Sequence, residues 1–281
     1  MELNPLLLND LIHRSLLEDM GTGDITTNST VAADATATGI IHAKESAVIA
    51  GITVAEAVFK HLDPKVTFEA KVKDGDRVEA RTVLAEVQGN ARAILTGERL
   101  ALNFLQRMSG IATKTAALVD LVSMYPTRIV DTRKTTPGLR VLEKYAVKVG
   151  GGHNHRFGLY DAILIKDNHI KVAGGISQAI NLARRHNPHT VKIEVEVQDL
   201  EGVEEAVVAN ADIIMLDNME PSIMREAVEM IKGRALVEAS GGVSEETVVT
   251  VAKSGVDLIS VGALTHSVRS IDISLDIDQI K

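Results

Sequence analysis

From about residue 128 onward, short apolar runs alternate with amphipathic helical stretches, and this alternation restricts the fold more than any other feature of the chain. The runs are RIVDT (128–132), AILIK (162–166), VKIEVEV (191–197), DIIMLDN (212–218), ALVEAS (235–240) and DLISVGA (257–263). Helical patterns separate them, among them ISQAINLARRH (176–186), LEGVEEAVVAN (200–210) and PSIMREAVEMIK (221–232). Such alternation means βαβ units and a parallel sheet. The last three runs start about 22 residues apart, the minimum for a tight strand–loop–helix–loop unit. The runs finish in polar residues: Asp131/Thr132/Arg133, Lys166/Asp167, Glu196, Asp217, Ser240, and Gly262 after Ser260. Polar groups at the carboxyl ends of many strands mark a barrel mouth, whereas an open doubly wound sheet gathers its site at one switch point. No G-x-G-x-x-G follows the first strand and no G-x-x-x-x-G-K-[ST] occurs, so Rossmann and P-loop readings fail. Six clear runs fall short of eight, which predicts an irregular barrel.

Residues 1 to about 110 have a different texture. Leu6, Leu7, Leu11, Ile12, Leu16 and Leu17 fall near helical spacing and predict an amphipathic first helix. Residues 39–50 and 66–88 read as strands, with Asp74-Gly75 as a turn, and 91–122 as helices leading to the second region. The start of the chain lacks a basic n-region and a cleavage site, and no apolar run approaches the roughly 20 residues that span a bilayer, so the expectation is a cytoplasmic protein without membrane partners. Zero Cys excludes disulfides, thiolate metal sites and cysteine nucleophiles. A net charge of −8 and only four Phe, three Tyr and no Trp argue against a nucleic-acid partner.

Against that acidic background, residues 128–171 carry nine Lys/Arg and four Asp/Glu. Lys144 and Lys148 are read as belonging to solvated helix faces. Arg133, Lys134 and Lys166 instead sit at strand ends, where they make a basic mouth suited to a strongly anionic small substrate. Glu194 and Glu196 share one face of their strand, and Asp217 ends the next. Glu194 reads as a structural salt-bridge partner. Glu196 and Asp217 fit Mg²⁺ held through substrate phosphates, contacts to sugar hydroxyls, or stabilisation of a cationic transition state. Ser240-Gly241-Gly242 follows one strand and is read as opening a helix, and Val261-Gly262-Ala263 follows the next; loops on late barrel strands commonly take phosphate. His153 and His155 form an H-x-H pair that, with Asp217, raises a zinc-dependent barrel hydrolase as an alternative, although the adjacent Arg156 opposes a cation. A hydrogen-bonding His155 beside Arg156, both facing an anion, fits better. These residues describe an enzyme acting on a phosphorylated, polyanionic small molecule, without fixing the reaction.

Several long strings carry a family resemblance: GTGDITT (21–27), GERLALNFLQRMSGIAT (97–113), DTRKTTPGLR (131–140), EKYAVKVGGGHNHRFGLYDAILIKDNH (143–169), EVEV (194–197), IIMLDN (213–218), EASGG (238–242) and ISVGALTHS (259–267). In register over nearly the whole chain, they resemble the quinolinate phosphoribosyltransferases, also called nicotinate-nucleotide pyrophosphorylases (carboxylating). The resemblance implies an α/β fold: an irregular, open (β/α) barrel of about seven strands (111–269) with an N-terminal α/β sandwich domain (1–110) rejoined by the C-terminal segment 270–281. It implies a reaction of quinolinate with phosphoribosyl pyrophosphate, giving nicotinate mononucleotide, pyrophosphate and CO₂ in NAD biosynthesis, with Mg²⁺. It further implies that Thr132, Arg133, His155, Arg156 and Lys166 bind quinolinate, with Lys134 near the reacting groups; the strand-end positions of Lys134 and Lys166, and not the resemblance, make one of them the expected proton donor. Glu196 and Asp217 would lie near ribose and metal, and Ser240, Gly241, Gly242, Val261, Gly262 and Ala263 would hold the 5′-phosphate. Arg99 would reach the neighbouring site in a homodimer, with hexamers in some members. A related phosphoribosyltransferase acting on another pyridine-like acid is the nearest alternative.

Overall fold

The computed structural model describes residues 3–280. Residues 1, 2 and 281, at the ends of the predicted ranges 1–110 and 270–281, lie outside the described residues. The chain divides into two compact units, Met1–Ala116 with Thr136–Gly151 and Ser267–Lys281, and Ala117–Thr135 with Gly152–His266. Among the described residues, no helix is long and apolar enough to cross a membrane.

The first unit opens with α1 (Pro5–Met20), where Asn4 accepts the Leu6 N–H at 3.0 Å and Pro5 occupies the first turn. Its face is narrower than the leucine spacing predicts. Ile12 and Leu16 are buried, but Leu6, Leu7 and Leu17 are 80%, 53% and 56% exposed. Asp24 caps α2 (Ile25–Thr30), accepting from the Thr27 N–H and hydroxyl and from the Thr96 hydroxyl. The central sheet of this unit is antiparallel, in the order β12-β1-β5-β3. It comprises β1 (Thr36–Ala43), β3 (Thr67–Ala70), β5 (Val83–Asn90) and the C-terminal β12 (Ile273–Ile280), which pairs with β1. Alternate residues of β1 are buried, as a half-covered sheet requires. Two short strands, β2 (Ala47–Val48) and β4 (Arg77–Val78), pair beside it, and the predicted Asp74-Gly75 turn precedes β4. Helix α3 (Ile52–Leu62) contributes Val54, Ala55, Val58 and Phe59 to the core.

The 91–122 segment is one helix, α4 (Ala91–Leu121), about 46 Å long at 1.5 Å per residue. Helix α5 (Arg140–Val149) corrects the reading of Lys144: it is fully buried, whereas Lys148 is exposed. Its neighbour Glu143, 1% exposed, accepts twice from Arg107 of α4, at 2.6 and 2.8 Å, and from the Thr136 N–H at 3.1 Å. The helix therefore buries charged positions that composition alone assigns to solvent.

The second unit is built on a six-stranded parallel sheet in the order β6-β11-β10-β9-β8-β7. These are β6 (Arg128–Val130), β7 (Ile163–Ile165), β8 (Ile193–Val197), β9 (Ile213–Asp217), β10 (Leu236–Ser240) and β11 (Leu258–Ser260). Each falls inside a predicted run. Helices α6 (Asp167–Ala173), α7 (Ile176–His186), α8 (Leu200–Val208), α9 (Pro221–Ile231), α10 (Val248–Ala252) and α11 (Ala263–His266) alternate with them. The barrel is open. Among the described residues, the ladder beyond β6 continues only as a parallel bridge between Val130 and His153, and β7 pairs with β8 alone. That single bridge stands where the expected seventh strand would lie.

Candidate active site

The two-residue period of the strands sorts the barrel's side chains. Val195, Val197, Ile214, Leu216, Val237, Ala239 and Ile259 are all buried in the apolar core. The alternating set, Leu164, Glu196, Met215, Asp217, Glu238, Ser240 and Ser260, lines a cavity of about 630 Å³ at the carboxyl ends of the strands. Loop residues Thr132, Arg133, Lys134, His155, Arg156, Asn218, Gly241 and Gly242, together with Lys166, complete the lining. The structure thus brings together Thr132, Arg133, Lys134, His155, Arg156, Lys166, Glu196, Asp217, Ser240, Gly241 and Gly242.

Buried hydrogen bonds hold the cationic loops. Asp131, with no exposure, accepts from Asn154 Nδ2 at 2.6 Å and from the His155 N–H at 2.9 Å. One carboxylate therefore ties the loop after β6 to the loop carrying Arg156. The Lys134 N–H donates to Thr132 Oγ1 at 3.0 Å, and the Lys134 carbonyl accepts from the buried Thr265 hydroxyl at 2.8 Å. Arg156 Nη1 donates to the Ala162 carbonyl at 3.1 Å, while its Nε is buried without a hydrogen-bond partner among the described residues. Burial, and then the neighbouring Arg133, hold the Arg156 guanidinium below its usual pKa. A cation kept against desolvation and like charge, with a donor unmet, calls for an anion.

The acids face these cations. Lys166 Nζ pairs with Glu196 Oε2. The Asp217 carboxylate makes no hydrogen bond or ion pair among the described residues, and Asp217 pairs in register with Ser240 of β10. Two carboxylates on adjacent strands, one already balanced by a lysine, offer the hard oxygen donors that a divalent cation takes together with phosphate oxygens.

The glycine loops differ. Gly241 lies at φ +104°, and a Cβ there would stand 2.1 Å from Asn218 Oδ1, so only glycine fits beside that side chain. No helix opens on the Ser240-Gly241-Gly242 loop: α10 begins at Val248, since the intervening residues form a turn closed by Ser244 and Thr247. Val261 is buried, and Gly262 lies against Lys134, where a Cβ would meet its Cδ at 3.0 Å. Val261, Gly262 and Ala263 are not part of the cavity lining. Arg99 belongs to the first unit, where it is exposed and 3.8 Å from Glu98.

The H-x-H zinc arrangement is not assembled. His153 is exposed in its bridge to Val130, and among the described residues the one trio of acidic and histidine ligand atoms within 4.8 Å is His155, Glu194 and Glu238. Glu194, read as a salt-bridge partner, is 3.0 Å from His155 Nε2. Sequence reasoning missed Glu238, Asn218 and Ser260. The signal for Glu238 was its place two residues before Ser240, hence on the same strand face.

Comparison with known proteins places the chain in a family. The family model described as quinolinate phosphoribosyl transferase, N-terminal domain, matches residues 24–109, and that of the C-terminal domain matches 111–276. A Bacillus subtilis (strain 168) protein named "Probable nicotinate-nucleotide pyrophosphorylase (carboxylating)" is 46% identical, covering 98% of this chain and 95% of its own. A tobacco (Nicotiana tabacum) protein, quinolinate phosphoribosyltransferase (decarboxylating) 1b, is 44% identical over 96% of this chain and 82% of its own. The solved structure of the nicotinate-nucleotide pyrophosphorylase from Francisella tularensis superposes with a TM-score of 0.94 at 42% identity, covering 99% of this chain and 98% of that one. With both domains matched and the basic cavity of the parallel barrel in place, the chain belongs to the quinolinate phosphoribosyltransferase family.

Proposed function

We propose that the chain catalyses the decarboxylating transfer of a phosphoribosyl group from phosphoribosyl pyrophosphate to quinolinate, giving nicotinate mononucleotide, pyrophosphate and CO₂ for NAD biosynthesis. The observation that carries the reading is one cavity in which Arg133, Arg156 and Lys166 face Glu196 and Asp217. It rests equally on full-length kinship with proteins named for this reaction.

The roles follow from charge. Arg133 and Arg156 take the two ring carboxylates, since a guanidinium fork matches a carboxylate. Lys166 and Thr132 close that side, and Lys134 lies toward the reacting groups. Ser240, Gly241 and Gly242 hold the 5′-phosphate through backbone N–H groups and the Ser240 hydroxyl. As the bond from ribose to pyrophosphate breaks, the anomeric carbon becomes cationic, and the carboxylates of Glu196 and Asp217 stabilise it. The ring nitrogen attacks that carbon and becomes positively charged. The C2 carboxylate then leaves as CO₂, its bonding pair stays on C2 beside the cationic nitrogen, and Lys134 or Lys166 donates the proton that ends as C2–H. Glu196 and Asp217 suit Mg²⁺, which supplies charge neutralisation for the pyrophosphate leaving group. We further assign the chain to a cytoplasmic homodimer in which Arg99 serves the neighbouring site. The experiment is incubation with quinolinate, phosphoribosyl pyrophosphate and Mg²⁺, following nicotinate mononucleotide and CO₂. Omission of quinolinate, or its replacement by nicotinate, should abolish the product. Product from nicotinate without CO₂ would reassign the enzyme to another pyridine acid.

A further inference from the structure

Three side chains at the wall of the cavity are given no step in the reaction outlined above. Glu194 of β8 and Glu238 of β10 are 2% and 1% exposed. His155 stands between them, with Nε2 at 3.0 Å from Glu194 Oε2 and 3.6 Å from Glu238 Oε1. Its Nδ1 accepts the Arg156 N–H at 2.7 Å. A ring nitrogen that accepts carries no proton, so the hydrogen-bond pattern assigns the imidazole proton to Nε2, facing the two carboxyls. Both ring nitrogens are thus engaged within the protein. His155 thus braces the Arg156 main chain while it lines the cavity.

We infer that Glu238 is a positioning residue that, with Glu194, seats His155 and the Arg156 main chain beneath the bound pyridine dicarboxylate and so tunes the binding of that substrate alone. The inference rests on the quinolinate reading.

The charge of this floor sets how the effect appears. Glu238 Oε1 is buried without a hydrogen-bond partner. Burial first, and then the charge of Glu194, push the Glu238 carboxyl up to about 7. Asp131 acts in the same sense, while His155 and the Ser260 hydroxyl oppose it. On β9 the residue paired with Glu238 is the uncharged Met215, and the cations lining the same cavity are Arg133, Lys134, Arg156 and Lys166. Below about pH 7 Glu238 is neutral; above it a second negative charge enters the floor under a substrate that is itself a dianion. Ordinary carboxyls ionise near pH 4, so the substrate's own carboxylates do not change charge over this range. Quinolinate affinity therefore falls as pH rises through about 7, and a neutral amide at position 238 removes the fall.

The test compares the full-length wild type, Glu238→Gln and Glu238→Ala, with KM for quinolinate and for phosphoribosyl pyrophosphate measured between about pH 6 and about pH 8.5. Wild-type quinolinate KM should climb about tenfold across that range, and the Gln variant's less than about twofold. Phosphoribosyl pyrophosphate KM should follow one pH course in both proteins. Glu238→Ala should hold quinolinate KM about tenfold above that of Glu238→Gln at every pH while moving the other KM less than about twofold. If that variant fails to fold, the comparison of the Gln variant with wild type decides alone. A Gln variant that keeps the wild-type pH course, an Ala variant that moves both KM values alike, or stoichiometric zinc on the trio in purified protein would overturn the inference. A wild type that forms no nicotinate mononucleotide overturns the quinolinate reading instead.

Discussion

Replacing Gly241 with alanine tests the phosphate loop where the backbone leaves least freedom. At φ +104° an L side chain is strained by about 1–3 kcal/mol. The new methyl would also stand 2.1 Å from Asn218 Oδ1 and 3.1 Å from the Asn218 backbone nitrogen. Asn218 cannot yield through its backbone, because its own φ is +53° and its N–H is bonded to the Ser240 carbonyl at 2.8 Å. Its side chain must rotate away, adding about 0.5–1.5 kcal/mol if it leaves its rotamer well. The total, about 1.5–4.5 kcal/mol, must appear as lost stability or as loss of the loop's bound shape. At 1.4 kcal/mol per tenfold, a half share in binding raises phosphoribosyl pyrophosphate KM by about three- to fortyfold. The other half lowers the melting temperature by a few degrees, at about 2–4 °C per kcal/mol for a chain of this size. Quinolinate KM should move less than about threefold. Steady-state kinetics in both substrates and a thermal melt on the same preparation decide it. Wild-type melting together with wild-type phosphoribosyl pyrophosphate KM would refute the strain argument, and a rise confined to quinolinate KM would refute the loop's assignment to the phosphate.

Glu196→Gln and Asp217→Asn should each lower kcat by about 10²–10³ while leaving the melting temperature within a few degrees; near-normal turnover in both would remove their role at the anomeric carbon. Arg107→Ala leaves Glu143, 1% exposed, without the guanidinium that pairs with it at 2.6 Å, and should destabilise the fold by about 3–5 kcal/mol in chemical denaturation; a loss below about 1 kcal/mol would refute a buried-pair account. Arg99→Ala should weaken quinolinate binding, and mixing it with the inactive Asp217→Asn protein should restore part of the activity if Arg99 serves a neighbouring subunit; no complementation would remove the shared site.

The barrel was readable because its strands obey a period of two and end in charge. Glu196, Asp217 and Ser240 each close an apolar run, and all three line the cavity. What escaped was charge inside the runs. Glu238 lies within LVEAS, where burial on both sides reads as plain strand interior, and only the parity with Ser240 marks it as facing the cavity. Lys144 escaped for the related reason that helical spacing does not say which face is covered: Leu142, Glu143, Lys144, Ala146 and Val147 of α5 are all buried. The Gly241-Gly242 loop suggested a helix start because glycine pairs often precede one, but a turn intervenes. The seventh strand could not be read, since one bridged residue, His153, has no periodicity. His155 and Arg156 were legible as chemistry, yet their division of labour was not. It depends on Nδ1 of the histidine meeting the next residue's N–H, a contact no residue spacing encodes.

Alternation along the barrel strands also sets what can change over evolutionary time. Inserting or deleting one residue within β10 would rotate Glu238 and Ser240 out of the cavity and turn Val237 and Ala239 into it, exchanging reagent for grease in one step. Strand length in this half of the molecule is therefore frozen, and new substrate preferences must arise by swapping single side chains at fixed inward addresses or by remodelling the connecting loops.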